Sequence, residues 1–428
     1  MTTARPRRAQ TFRRFGGAAA IVSAVALATF VSVPAAMAAS AAPAAAALPT
    51  AGLNYVAIGD SYSSGLGVDP QTDQPVAGCG QSSNNYPHQV AAALGMNLTD
   101  VTCAGAQASN VTTDPQQTYN PDGTPLAVAP VQLDSLSADT DVVTITVGGN
   151  GLKFTQIALA CAAATADGPL LFNNPPAPAP PNTTCEPSVS ALLTPAFQAL
   201  AKSLADTYAA VAQAAPNAKI FVLGYPSIAP DVIPPAGCFS SVLTPNSFPF
   251  TTADTPFLHG VETNLDNLVQ KTAAGAGFTY VPTFADSIGH SACAAPADQY
   301  VNGVFVSFVT DPTTHETVPL IDEKSLHPNA SGVDFMAAEL EPQIEAAFPV
   351  IDTPTPTPTP SVTATPTVSP TDTPAPTSSA TATAVPAALA STGLSEPFIA
   401  GAGVLALLFL GAGISVAIVQ RRLAAGRR

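Results

Sequence analysis

Short apolar runs alternate along the chain with longer segments in which apolar residues recur at helical spacing. Glycine follows within two residues in four of five such runs, a pattern typical of buried strands that end in a turn. Strands are predicted at 53–58, 97–103, 141–147, 218–223 and 278–284, and helices at 86–94, 154–164, 188–214, 252–275 and 330–347. Because strands that alternate with helices pair in parallel through crossovers, we predict an α/β fold, a three-layer α/β/α sandwich with a central, mostly parallel five-stranded sheet.

Polar and proline-rich segments separate these elements. Residues 107–130 are rich in Thr, Gln and Pro and are predicted to be a loop, and short strands are expected near 304–309. Two insertions, 165–187 and 227–250, contain many prolines. We expect both insertions to shape the substrate site.

The two ends of the chain differ in composition from its middle. Residues 1–38 combine arginines, an apolar run and a small-residue cleavage site, which is typical of a secretory signal peptide. The apolar run is short for a bilayer span, which disfavours a retained membrane helix. Residues 352–388 consist mainly of Thr, Pro, Ser and Ala and are predicted to be a disordered stalk. The folded domain is therefore expected at 39–351.

The last segment, 389–428, contains a second apolar stretch. Residues 398–419 are apolar and would span roughly 33 Å as a helix, which is enough to cross a bilayer. Arginines follow this stretch and would remain on the cytoplasmic side. The sequence therefore predicts a transmembrane helix with a basic tail.

The folded domain is strongly acidic. It holds 5 of the 14 basic residues and 26 of the 29 acidic residues, so its formal net charge is −21. A surface of this charge repels phosphate backbones, so nucleic acid is not an expected partner. A neutral or zwitterionic substrate fits the charge better.

Six cysteines lie in the exported part of the chain. An even number in a secreted protein favours disulfides, although the sequence alone allows about 15 pairings. Zinc is disfavoured, because no two of the cysteines have the close spacing of zinc ligands. Nearest-neighbour pairing would close three polar, proline-rich loops, each disulfide contributing roughly 3–4 kcal/mol. The predicted pairs are Cys79–Cys103, Cys161–Cys185 and Cys238–Cys293.

Residues suited to acyl chemistry follow several of the predicted strands. Gly59-Asp60-Ser61 follows the first, Gly105 the second and Gly149-Asn150 the third, and His327 stands before the last helix. An ester hydrolase needs a nucleophile, a base and hydrogen-bond donors for the oxyanion. Ser61 can be the nucleophile, His327 the base, and the Gly105 N–H and the Asn150 amide the donors. Each residue alone is more typical of a turn, but their combination favours a serine hydrolase.

These four blocks, in this order across residues 53–347, resemble those of the SGNH hydrolase superfamily, which contains the GDSL esterases and lipases. The resemblance implies a flavodoxin-like sheet, a Ser61 nucleophile and a His327 base. It also implies an oxyanion hole made by the N–H groups of Ser61 and Gly105 and by the Asn150 side chain, with no metal or cofactor. The three cysteine pairs resemble the secreted bacterial esterase and phospholipase branch.

Lys324 departs from the family pattern, which has aspartate three residues before the histidine. A lysine side chain cannot accept the imidazole proton. Asp322 or Glu323 could replace the aspartate, but the resembling branch includes dyads in which a main-chain carbonyl orients the histidine. The Lys324 carbonyl is therefore preferred. Gly151 also stands where the family often has aspartate, and we expect this to change only the local loop.

The sequence Leu389-Ala390-Ser391-Thr392-Gly393 precedes the second apolar stretch. It resembles the LAxTG sorting signal that sortases of high-GC Gram-positive bacteria recognise. The resemblance implies cleavage after Thr392 and linkage of this residue to peptidoglycan. A simple membrane anchor is the alternative.

Taken together, these features predict an extracellular ester hydrolase anchored to the wall or membrane of a Gram-positive bacterium. We expect a monomer that acts on lipid esters as a lipase or phospholipase. One alternative is a carbohydrate acetylesterase, which the same superfamily contains. A second alternative is a wall-linked adhesin on a hydrolase fold that has lost its activity.

Overall fold

Strands and helices alternate along the chain in the computed structural model, which describes residues 48–120, 123–171, 184–310 and 317–349. The strands are β1 (Asn54–Gly59), β2 (Gln71–Thr72), β3 (Gln81–Ser82), β4 (Asn97–Asp100), β5 (Gln116–Tyr119), β6 (Pro125–Ala129), β7 (Val142–Thr146), β8 (Lys219–Leu223), β9 (Thr279–Val281), β10 (Val306–Thr310) and β11 (Thr317–Ile321). The helices are α1 (Ser61–Ser64), α2 (Tyr86–Leu94), α3 (Ala108–Thr112), α4 (Gly149–Leu152), α5 (Phe154–Cys161), α6 (Glu186–Ala214), α7 (Asp254–Ala276), α8 (Thr283–Ser287) and α9 (Ala330–Ala347).

The central sheet contains the five strands that the apolar runs predict. Its order is β4-β1-β7-β8-β9, and every neighbouring pair is parallel. β1 lies between β4 and β7, so the carboxyl ends of these three strands meet at one edge of the sheet. Ligands of open α/β sheets bind beyond this edge.

Helices cover both faces of the sheet because successive side chains of a strand point to opposite sides. Val56 and Ile58 of β1 pack with buried residues of α3, α6 and α7. Tyr55 and Ala57 pack on the other face with α2 and α9. The predicted three-layer α/β/α fold is therefore confirmed.

Two sequence predictions of local structure were wrong. Residues 107–130, predicted as a loop, contain α3 and an antiparallel hairpin of β5 and β6. The predicted strand at 278–284 stops at β9, because Pro282 begins the helix α8. The short strand expected near 304–309 is present as β10, which pairs with β11 in an antiparallel hairpin.

Disulfides link the six cysteines in the three predicted pairs, Cys79–Cys103, Cys161–Cys185 and Cys238–Cys293. The first lies next to the sheet edge, because Cys103 N–H donates to Gly59 O at 3.1 Å. Such disulfides are typical of proteins that fold outside the reducing cytoplasm.

The predicted terminal segments lie outside the described residues. These are the signal peptide at 1–38, the stalk at 352–388, the sorting signal around Thr392 and the transmembrane helix at 398–419. In the part of the chain that is described, no helix has both the length and the apolar character needed to cross a membrane.

Candidate active site

Ser61 lies at the carboxyl end of β1, where the chain turns sharply into α1. Gly59 makes this turn with a φ of +144°, and a Cβ there would lie 2.5 Å from Thr146 O, so no other residue fits. Asp60 caps α1, its carboxylate accepting the Tyr62 N–H at 3.0 Å. Ser61 is the first residue of the helix, so its own N–H has no intrahelical acceptor.

His327 contacts Ser61 across the sheet edge. The distance from His327 Nε2 to Ser61 Oγ is 2.8 Å. Burial lowers the pKa of His327 from 6.5 to about 4, although hydrogen bonds to the Ser325 and Glu323 carbonyls act in the opposite direction. The imidazole is therefore neutral at physiological pH and can accept the serine proton.

The acceptor that orients His327 is the Ser325 carbonyl, 3.0 Å from Nδ1. The preference for the Lys324 carbonyl was therefore wrong, although a main-chain group does fill this role. Lys324 O instead accepts the His327 backbone N–H and the Asn302 side chain, both at 3.2 Å.

A tight turn explains this displacement from Lys324 to Ser325. Leu326 has a φ of +61°, which bends the chain so that the carbonyl two residues before His327 meets the ring. The Asp322 carboxylate accepts the Lys324 N–H at 3.0 Å and pairs with its Nζ at 3.6 Å. Within the described residues, neither Asp322 nor Glu323 hydrogen bonds to the imidazole through its carboxylate.

Asn150 contacts the residue that follows Gly105 in the chain. Asn150, in α4, donates from Nδ2 to Ala106 O at 3.1 Å, which joins the ends of the second and third predicted strands. Gly105 itself stands in a turn with a φ of +83°. A Cβ on Gly151 would lie 3.1 Å from Leu200 Cδ1 of α6, so the leucine side chain would have to shift slightly to admit a larger residue.

Two tyrosines that the sequence did not single out tie these segments together. Tyr225 donates its hydroxyl to Asp60 Oδ2 at 2.6 Å and accepts the Gly149 N–H at 3.0 Å. Tyr62 donates to Leu326 O at 2.7 Å and packs edge-on against Tyr225. Burial raises the pKa of Asp60 to about 7. The one sequence signal at Tyr225 is its position in the Gly-Tyr-Pro segment that follows β8. The contact with Asp60 spans 165 residues of the chain, so no local pattern predicts it.

An apolar cavity opens beside Ser61, Asn150 and His327, which all line it. Gly105 is absent from its walls, but the next residue in the chain, Ala106, contacts the wall residue Asn150. The apolar walls include Phe154, Leu159, Phe250, Leu265, Phe284 and Ile321.

The cavity walls correct the expectation about the two insertions. Residues 227–250 contribute Ile228, Val242, Pro249 and Phe250 to the cavity. The described parts of 165–187 contribute none, and α5 forms that wall instead. The prediction for the first insertion was therefore wrong within its described residues.

A buried carboxyl group, that of Glu262, also lines the cavity. It accepts the N–H groups of Ile228 and Ala229, each at 3.2 Å. Burial nevertheless raises the pKa of Glu262 to about 8, so the group is largely protonated at neutral pH. Among the described residues, no three His, Cys, Asp or Glu side chains are grouped as metal ligands.

A buried serine hydroxyl hydrogen bonded to a neutral, oriented imidazole is suited to nucleophilic attack on an acyl carbon. A sequence model of the GDSL-like Lipase/Acylhydrolase family matches residues 57–335, which include Ser61, Gly105, Asn150 and His327.

Curated relatives come from Streptomyces. The chain is 34% identical over 291 residues to Lipase 2 of Streptomyces coelicolor, covering 67% of this chain and 84% of that protein. It is 25% identical to an esterase of Streptomyces scabiei, covering 68% and 85%. The solved phospholipase A1 of Streptomyces albidoflavus NA297 has a TM-score of 0.47 and 23% identity, covering 68% of this chain and 99% of that one. On the family match and the Streptomyces coelicolor relative, the chain belongs to the GDSL-like lipase/acylhydrolase family and is a carboxylic ester hydrolase.

Proposed function

We propose that this hydrolase cleaves carboxylic esters of lipids through a Ser61 acyl-enzyme, with His327 as the base. The observation that carries the proposal is the 2.8 Å contact between Ser61 Oγ and His327 Nε2. The Ser325 carbonyl on Nδ1 supports it, because that bond leaves Nε2 as the acceptor nitrogen.

The proposed reaction has two halves. Ser61 Oγ attacks the ester carbonyl carbon while its proton passes to His327 Nε2. The N–H groups of Ser61 and Gly105 and the Asn150 amide hold the oxyanion. The intermediate then expels the alcohol, which takes the proton from His327. In the second half, water attacks the acyl-enzyme with His327 again as base, and the acid leaves.

The apolar cavity favours a lipid acyl chain as the group that Ser61 receives. Its walls are mainly apolar beyond the Ser61 and His327 edge, so burying an aliphatic chain there would remove apolar surface from water. The exposed Leu243 and Phe308 flank wall residues Val242 and Ile321. Two Streptomyces relatives named as lipases agree with this choice.

We further propose that the domain is exported and held at the cell surface. The LASTG sequence ending at Thr392–Gly393 would pass to a sortase, which joins Thr392 to peptidoglycan. Mass spectrometry of protein released from the wall should find a chain ending at Thr392. Intact membrane-bound 398–419 would instead indicate a simple anchor.

The proposed nucleophile is tested by Ser61→Ala in the whole chain. Because the acyl-enzyme cannot form, we expect hydrolysis of p-nitrophenyl esters to be lost together with labelling by a fluorophosphonate probe. Ser63→Ala, in the same short helix, is the matched control and should keep both signals. Undiminished hydrolysis by the Ser61→Ala variant would show that Ser61 is not the nucleophile.

The substrate class is tested by rates on esters of increasing acyl length and on acetylated xylan. Faster turnover of the longer acyl chains is expected from the apolar cavity. A marked preference for the acetylated sugar would support a carbohydrate acetylesterase instead. No turnover and no probe labelling by the wild-type protein would support the adhesin alternative.

A further inference from the structure

The turn that carries Gly105 is fixed at its ends. Ala106 N–H closes the turn on Cys103 O at 3.1 Å, and Ala104 N–H donates to Cys79 O at 2.8 Å. Cys103 is also bound to Cys79 through a disulfide. The flanking backbone is therefore held, and the central peptide between Ala104 and Gly105 is the unit with freedom to rotate.

The orientation of that central peptide decides where the Gly105 N–H points. A φ of +83° at the third residue matches a type II turn, whereas a type I turn has a negative φ there. The two types differ by a flip of the central peptide. Because C=O and N–H point in opposite directions in a trans peptide, the flip would replace the Gly105 N–H with the Ala104 carbonyl oxygen. That oxygen would repel an oxyanion.

Gln116 contacts the other end of this same peptide. Its Nε2 donates to Ala104 O at 2.6 Å, from β5 on the hairpin that the sequence did not predict. A Cβ on Gly105 would meet Gln116 Nε2 at an ordinary 3.5 Å, so space alone does not require glycine. The positive φ requires it, which indicates that the turn type is what this position specifies.

The oxygen of the Gln116 side-chain amide, Oε1, is buried at a cost in folding free energy. Gln116 Oε1 has no hydrogen-bond donor among the described residues. A buried acceptor left unpaired costs about 1–3 kcal/mol, and an apolar side chain of similar shape would avoid this cost. The amide orientation is fixed, because the reverse orientation would place Oε1 against Ala104 O. The Nε2 bond to Ala104 O is thus the contact that an apolar residue could not provide.

We propose that Gln116 is a positioning residue of the oxyanion hole, which holds the Ala104–Gly105 peptide so that the Gly105 N–H faces the reacting carbonyl. This inference rests on the proposed Ser61 mechanism. Gln116 acts through Gly105 and does not itself touch the substrate. Its bond to Ala104 O also polarises the peptide, which strengthens the opposite N–H as a donor.

The neighbouring Gln117 offers a matched control. It lies on the same strand, but its Nε2 donates within the hairpin, to Thr118 O at 2.8 Å and Ala127 O at 2.7 Å. A substitution of Gln117 therefore weakens the hairpin without removing the bond to Ala104. If Gln116 only stabilised the hairpin, the two variants would behave alike.

The test compares Gln116→Leu and Gln117→Leu in steady-state hydrolysis of a p-nitrophenyl ester. Removing a direct oxyanion donor lowers kcat about 10²- to 10³-fold, so we expect Gln116→Leu, which acts indirectly, to lower kcat by about tenfold or more. KM should change little, because the contact matters mainly in the transition state. Gln117→Leu should retain the wild-type kcat.

The ratio of the rates on an oxygen ester and on the matching thionoester distinguishes the proposed role from a merely structural one, because a loss of hairpin stability would not change this ratio. Sulfur accepts hydrogen bonds weakly, so an enzyme with an intact oxyanion hole strongly prefers the oxygen ester. Gln116→Leu should lose part of this preference. Gln117→Leu should keep it.

Gln116→Glu is a second variant for the case in which Gln116→Leu folds poorly, because glutamate has the same side-chain shape as glutamine. Its ionised carboxylate would repel Ala104 O, whereas a protonated carboxyl could donate to it. The activity of Gln116→Glu relative to wild type should therefore rise between pH 7 and pH 5. A constant ratio would contradict the proposal.

The outcomes separate this inference from the mechanism on which it rests. Activity in Ser61→Ala would overturn the mechanism. If Ser61→Ala is inactive while Gln116→Leu retains the wild-type kcat and oxygen preference, only the role of Gln116 fails. An equal loss in both glutamine variants, with the oxygen preference unchanged, also overturns that role.

Discussion

At the scale of single residues, the sequence predicted the reacting groups better than the groups that hold them. Ser61 and His327 stand in motifs whose residue types are required by the chemistry, and the structure places them in contact. The orienting carbonyl was misassigned because it depends on the left-handed Leu326, a backbone feature that composition does not show. Tyr225 was missed for a similar reason, because its contact with Asp60 is made by the fold and not by spacing.

The low pKa of His327 has a consequence for the pH dependence of hydrolysis. An ordinary histidine loses its function as a base below about pH 6.5. Burial lowers the pKa of His327 to about 4, so its neutral form persists to more acidic pH. We expect kcat/KM for a p-nitrophenyl ester to fall as pH drops through about 4, rather than near 6.5.

The measurement is a pH–rate profile of the wild-type protein from about pH 3 to pH 8. Recovery of activity after return to pH 7 is the control for acid unfolding. A reversible loss of kcat/KM centred near pH 6.5 would contradict the assigned environment of His327.

At the scale of elements, apolar periodicity predicted the five central strands and their helices, but not the hairpin of β5 and β6. β5 consists of Gln116, Gln117, Thr118 and Tyr119, so it lacks the alternation of apolar and polar residues that marks a half-buried strand. Its partner contains exposed Leu126 and Val128. Such a hairpin is specified by contacts with the Cys79 and Gly105 loops, which are remote in sequence.

Two segments next to the cavity, the strand β10 and the loop around Leu243, present apolar side chains to solvent. Phe308 of β10 is 58% exposed and shares a face with Val306, which pairs with the cavity residue Ile321. Leu243 is 67% exposed and follows the cavity residue Val242. Ser247 pairs with Val304, which brings the two segments side by side. We therefore expect these side chains to contact a lipid aggregate from which an acyl chain enters the cavity.

The double variant Leu243→Ser, Phe308→Ser tests this arrangement. We expect lower activity on phosphatidylcholine vesicles and weaker sedimentation with them, because each exposed side chain contributes apolar contact with the lipid. Hydrolysis of dissolved p-nitrophenyl butyrate should be unchanged. Leu48→Ser is the control, because Leu48 is 45% exposed but precedes β1, at the amino end of the sheet. Equal losses on vesicles and dissolved ester would indicate damage to the site rather than to lipid contact.

At the scale of the whole molecule, the net negative charge and the burial of carboxyl groups both disfavour the ionised form of Asp60 and Glu262. The domain at 39–351 has a formal net charge of −21 when every carboxyl group is ionised, so each of these ionisations adds to its self-repulsion. Burial raises the pKa of Asp60 from 3.8 to about 7 and that of Glu262 from 4.5 to about 8. Composition predicted the acidic charge, but the fold decides which carboxyl groups are buried.

These shifts fix the sign of the pH dependence of stability. Above the unfolded-state pKa values of 3.8 and 4.5, the folded protein keeps protons that the unfolded chain has released. Stability therefore falls as pH rises, until Asp60 has ionised near pH 7 and Glu262 near pH 8. His327 opposes this only between about pH 4 and 6.5, where the unfolded chain holds its proton. Two carboxyl groups outweigh one imidazole in that range, and above it His327 no longer opposes them.

We therefore expect the Tm of the wild-type protein to be several degrees higher at pH 5 than at pH 8, as measured by calorimetry. Glu262→Gln should reduce this difference, because the amide does not titrate and resembles the protonated carboxyl that the fold holds at neutral pH. Glu186→Gln, an exposed change at the start of α6, is the matched control and should leave the difference intact. If Tm rises from pH 5 to pH 8, or if Glu262→Gln retains the full wild-type difference, then the buried carboxyl of the cavity does not control stability in this range.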